Sequence, residues 1–96
     1  MIVTSFLAET YAPTAARIAD IATRARSAAE DASRAGTPIQ YLRSIFVPQD
    51  EMCFHLLEAG SAEAVREVIG RAGFSPDRIV EAHLWCDAEA CEGVME

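Results

Sequence analysis

Ile79-Val80-Glu81-Ala82-His83-Leu84-Trp85-Cys86 alternates between apolar and functional side chains. Successive side chains of a strand point to opposite faces. Val80, Ala82, Leu84 and Cys86 therefore share one side, and Ile79, Glu81, His83 and Trp85 share the other. The first set suits a core. The second sets a carboxylate and an imidazole beside an indole, which suits a pocket or a partner better than plain solvent. A strand of this kind needs sheet neighbours, and the sequence before it supplies them.

Residues 2–9 are rich in β-formers and predict a first strand. Pro13 stands where a helix can begin, because its missing N–H is not needed in the first turn. From there an Ala-rich run with Ile18 and Ile21 at helical spacing continues to Ala35, and Gly36 supplies a stop. Ala15, Ala22, Ala25, Ala29 and Ala32 would let a sheet or helix approach closely. Residues 39–47 read as a second strand, Pro48-Gln49-Asp50-Glu51 as a turn and residues 52–57 as the returning strand. Ser61 is a good N-cap with Glu63 in the first turn. Val65, Val68, Ile69 and Ala72 form an apolar stripe that ends at Gly73.

The order is βαββαβ, with no internal repeat and no linker. Two βαβ-like halves in one short chain point to the ferredoxin-like α+β arrangement: a four-stranded antiparallel sheet with two helices on one face. Residues 1–86 form the single domain expected, and residues 87–96 an acidic C-terminal tail. Totals agree with this. A chain of 96 residues supports one modest core, and 51% hydrophobic content excludes a disordered chain. A formal net charge of -7 argues against nucleic acid and anionic membranes, which select basic surfaces. No run of apolar residues is long enough to span a bilayer. The N-terminal residues lack the basic start of a signal peptide, so a cytoplasmic protein is expected. Cys53, Cys86 and Cys91 are odd in number and contain no CxxC, which fits reduced thiols; the Cys86 to Cys91 spacing matches no strong metal site.

Helices on one face leave the other bare. If Met52, Phe54 and Leu56 meet the helices, then Cys53, His55 and Leu57 look outward with Glu81, His83 and Trp85. Tyr41, Arg43 and Ile45 of the second strand would join them, leaving Leu42, Ser44 and Phe46 inside, and Thr4 and Phe6 of the first strand would complete the surface. That surface is too apolar for water, and a two-fold homodimer, sheet against sheet in a dimeric α/β barrel, would bury it. In the strand order 4-1-3-2, His83 and His55 would lie two strands apart, about 9–10 Å, with Glu81 in reach. Imidazole and carboxylate suit nickel, zinc or iron, so His55, His83 and Glu81 form the candidate metal set. Arg43 disfavours a cation but welcomes an anionic or phenolic ligand, with Tyr41 beside it and Trp85 as a pocket wall.

Three segments carry a resemblance. They are Tyr41-Leu42-Arg43-Ser44, then residues 53–67 with the core Glu58-Ala59-Gly60-Ser61-Ala62-Glu63-Ala64-Val65, then Arg71-Ala72-Gly73-Phe74 with Asp77-Arg78-Ile79-Val80-Glu81. Together they resemble a bacterial family of short ferredoxin-like domains of unknown function, to which a nickel-binding label is attached. The resemblance implies a ferredoxin-like dimer. This chain departs from it with Gly60 where the family often has Pro, and with His55 near a common Cys position. The family also carries histidines near its first strand, and this chain has none before His55.

Three functions follow. The first is a cytoplasmic dimer that binds a small ligand or a transition metal such as nickel on the open sheet face through Tyr41, Arg43, His55, Glu81, His83 and Trp85. The second is a dimeric α/β-barrel enzyme on a small metabolite, with His55 or His83 as acid–base, since an imidazole titrates near neutral pH. The third is a structural or partner-binding dimer.

Overall fold

The computed structural model describes residues 4–11, 18–73 and 75–83. Six elements run in order: β1 (Thr4–Tyr11), α1 (Ile18–Arg34), β2 (Ile39–Val47), β3 (Met52–Ala59), α2 (Ala62–Arg71) and β4 (Arg78–Ala82). The strands form one antiparallel sheet in the order β2-β3-β1-β4. This is the ferredoxin-like βαββαβ arrangement. The expected start of α1 at Pro13, the residues Trp85 and Cys86, and the tail with Cys91 lie outside the described residues.

Local signals set the helix limits. Gly36 takes φ 105°, which only glycine adopts without strain, and lets the Thr37 N–H reach Ala32 O at 2.9 Å and its own N–H reach Ser33 O at 3.1 Å. Those bonds close the last turn of α1. Ser33 Oγ then ties the helix end to β2, donating to Ile39 O at 2.6 Å and accepting from Ile39 N at 3.2 Å. Ser61 caps α2, its hydroxyl accepting from Ala64 N at 3.2 Å. The turn from Val47 to Met52 puts Glu51 at φ 53° and bonds Asp50 N to Val47 O.

The core lies between one sheet face and the helices. Ala25, Ala28, Ala29 and Ala32 of α1 and Val65, Val68 and Ile69 of α2 meet Phe6, Ala8, Ile39, Tyr41, Leu57 and Ala59. The alanine stripe brings α1 close to the sheet, so larger sheet residues fit beneath it.

The direction expected for several side chains is reversed. Cys53, His55 and Leu57 are buried under the helices, whereas Met52, Phe54 and Leu56 stand on the bare face. Phe6 is likewise inside rather than outside. On β4, Ile79 and Glu81 align with Ala8 and Phe6, so they belong to the helix side, and Val80 and Ala82 to the bare side. β2 is split. Tyr41 pairs with Leu57 but Arg43 pairs with Leu56, so Leu42 is an extra residue in a bulge. The bulge puts Tyr41 and Ser44, three apart, on the helix side, and leaves Arg43 and Ile45 outside.

The bare face is the more apolar for this exchange. Leu7, Leu56, Phe54 and Val80 occupy adjacent positions across its centre, with Ile45 at its edge 49% exposed. Arg78 and Glu9, paired at 3.0 Å, and Arg43 mark its charged margin.

Candidate functional site

The side chains expected to form one site occupy two places. His55 aligns with Ala8 and Ile79, and His83 comes four residues further along on the neighbour two strands away. At about 3.3 Å per residue and 4.8 Å per strand, their backbones are about 16 Å apart. One ion cannot bridge that distance, and among the described residues no group of three or more His, Cys, Asp or Glu converges. The set His55, His83 and Glu81 is therefore not assembled within one chain.

His55 sits inside a polar chain in an otherwise apolar core. It is fully buried. Nε2 is 3.1 Å from Thr10 Oγ1, and Nδ1 is 2.7 Å from the Tyr41 hydroxyl. Thr10 Oγ1 donates to Cys53 O at 3.4 Å, so it receives the proton of Nε2. Nδ1 is then the acceptor, and Tyr41 O–H donates to it. Ser44 Oγ bonds to the same Tyr41 oxygen from across the bulge. The imidazole is thus held as its Nε2–H tautomer between three strands. Burial lowers its pKa to about 4, so it is neutral at neutral pH. Burial also raises the pKa of Tyr41, with Ser44 opposing, and raises that of the Cys53 thiol. Arg26 of α1 lies 5.4 Å over the Tyr41 ring and covers it from the helix side.

This arrangement suits architecture better than proton transfer to a substrate. The ring is closed off, its two nitrogens are engaged, and its basicity is lowered. Thr10 and Ser44, the partners that make a buried histidine tolerable, escaped the sequence reading. Their signal is a hydroxyl paired across strands, and it becomes visible only once register and bulge are known.

The second place is open. His83 Nε2 lies 2.9 Å from Glu81 Oε2, with the two side chains 75% and 60% exposed. Glu81 is in β4 and His83 directly follows its end, and the contact between them puts the two side chains together, as the i, i+2 alternation predicted. β4 is an edge strand, so this donor pair stands at the rim of the sheet. Arg43 is exposed on the bare face, away from both places, and Tyr41 is committed to His55. Trp85 lies outside the described residues.

The model of a family described as nickel responsive protein SCO4226-like matches residues 6–82. Among solved structures, the crystal structure of SCO4226 from Streptomyces coelicolor A3(2) is similar, with a TM-score of 0.66 at 25% sequence identity. The match covers 85% of this chain and 99% of that one. A comparison with curated proteins gives no match.

Proposed function

The chain belongs to the SCO4226-like family of nickel responsive proteins, and from that premise we propose that it binds Ni2+ at the rim of its sheet and works as a homodimer. The observation that carries the metal reading is the exposed His83–Glu81 pair, an imidazole nitrogen 2.9 Å from a carboxylate oxygen. Both are donors that first-row divalent ions accept. They fit nickel in kind. Among the described residues these two donors stand together, so further ligands complete the shell.

The homodimer reading is supported by the bare sheet face. Leu7, Phe54 and Val80, each half-buried, surround the buried Leu56 on the face that no described helix covers, with Ile45 exposed at its edge, and a two-fold contact would remove what remains of this apolar surface from water on both copies at once. Cytoplasmic residence belongs to the same reading. No described helix is long and apolar enough to cross a membrane, and Cys53 is a free, buried thiol.

Calorimetric titration of the metal-free protein with nickel chloride tests the metal claim. Saturable heat is expected, and His83→Ala should remove it; saturable binding that survives in His83→Ala would refute the assignment. For the dimer, sedimentation equilibrium should give twice the chain mass for the native protein and a single chain mass for Phe54→Glu. A native protein that sediments as a monomer would refute it.

A further inference from the structure

We infer that the groove between α1 and the outer edge of β2 binds a free α-amino acid with an apolar side chain, held at both its carboxylate and its ammonium group. β2 and β4 are opposite edges of the sheet, so this site is separate from the His83–Glu81 rim.

As an outer strand, β2 turns only alternate backbone groups to β3 and the others away from the sheet. Two observations fix which. Ser33 Oγ of α1 bonds both the N–H and the C=O of Ile39, so those groups look outward. Across the sheet, Asp77 N donates to Glu9 O at 2.7 Å, so Glu9 turns to β4 and its even-numbered neighbours to β3. Carried through the registers, this turns Gln40 and Arg43 to β3 and leaves Ile39 and Tyr41 outward, in agreement. Ser33 already fills the rung at Ile39, and the bulge at Leu42 breaks the ladder on the other side. The N–H and C=O of Tyr41 stand between them as a single rung. A single rung suits one residue rather than a strand, since an antiparallel pair exchanges both bonds between two residues.

That rung borders a cavity of about 400 Å³ between helix and strand, within the common small-ligand range of about 300–1,000 Å³. Ala29 and Ile39, both buried, give it an apolar floor. Arg26, 5.4 Å over the Tyr41 ring, and Glu30, one helical turn on, are exposed along its wall. Among the described residues neither of these two is in an ion pair, whereas Arg34, also on the wall, is matched by Asp31. The cavity therefore offers one cation and one anion. A lone anion would be opposed by Glu30 and a lone cation by Arg26, but a zwitterion meets both. Its carboxylate accepts from Tyr41 N–H and the Arg26 guanidinium. Its ammonium donates to Tyr41 C=O and the Glu30 carboxylate, so charge assists the bonds at both ends. The side chain then lies over Ala29 and Ile39, which favours an apolar one.

Nuclear magnetic resonance titration of the full chain with L-leucine tests this. Saturable amide shifts centred on residues 26–30 and 39–41 are expected, with slower hydrogen exchange at the Tyr41 amide. Leucinamide lacks the carboxylate and isocaproate lacks the ammonium, so each should bind about tenfold more weakly or worse. Glu30→Gln and Arg26→Gln should each weaken leucine by about the same factor, with far-ultraviolet circular dichroism unchanged. Glu30 is exposed, so its variant decides the matter even where Arg26→Gln unfolds by uncovering Tyr41. No saturable shift at millimolar leucine, or shifts centred on another surface, would overturn the inference. So would isocaproate or leucinamide binding as tightly as leucine, or an unchanged affinity in Glu30→Gln.

Discussion

Acid should weaken this fold through His55, and the loss can be worked from its environment. The imidazole is fully buried, and its pKa falls from 6.5 to about 4 in the folded protein because burial disfavours the charged form. Unfolding returns it to water, where it takes up a proton near pH 6.5. Between those two values the unfolded chain binds more protons than the folded one, so stability rises with pH across the window. The contribution is fully present above pH 6.5 and is lost as pH falls towards 4. At about 1.4 kcal/mol per pH unit, the whole loss is about 3 kcal/mol. For a domain of this size, with a total stability of about 5–10 kcal/mol, that is a large share.

Urea unfolding followed by far-ultraviolet circular dichroism at pH 7, 6, 5 and 4 measures it, with His55→Gln as the reference. Glutamine does not titrate. It breaks the ordered hydrogen-bond chain, so the variant should be about 1–2 kcal/mol less stable at pH 7. The carboxylates titrate alike in both proteins, so the difference between the two curves isolates His55. That difference should close and then reverse as pH falls, the native protein losing about 3 kcal/mol more than the variant over the range. Parallel curves, with the gap constant to within about 0.5 kcal/mol, would refute the reasoning.

Other substitutions probe the same architecture. Tyr41→Phe removes the O–H that donates to His55 Nδ1 at 2.7 Å, leaving a buried acceptor without it. Urea unfolding at pH 7 should show a loss of about 1–3 kcal/mol. Ser61→Ala takes the cap from Ala64 N and should cost about 1 kcal/mol, lowering Tm by about 4–8 °C in a thermal scan. Gly36→Ala meets no atom within 4 Å, so any loss arises from φ 105° alone. About 1 kcal/mol is expected by urea unfolding, and an unchanged midpoint would show that the turn relaxes.

Different physical forces decided different parts of this protein. Element order and helix limits are local matters. Gly36, Ser61 and Gly73 act on the hydrogen bonds of their own turns, and the apolar spacing of Val65, Val68 and Ile69 marks one helix face whatever packs on it. Alternation along β4 likewise fixed that Glu81 and His83 share a side. These features, and with them the ferredoxin-like βαββαβ order, were legible in the chain.

Which side of the sheet meets the helices was not legible. On β3, Met52, Phe54 and Leu56 are as apolar as Cys53 and Leu57, so alternation offers two cores and the polarity of His55 argues against the one that forms. The choice is made in three dimensions. The alanine stripe of α1 shapes the space above the sheet, and Thr10 and Tyr41, far from His55 in sequence, supply the hydrogen bonds that make a buried imidazole acceptable. The bulge at Leu42 then turns Tyr41 and Ser44 to the same side. A local pattern reports what each side chain prefers by itself, whereas the enclosed set is selected by the summed fit and satisfaction of partners that only the folded chain brings together.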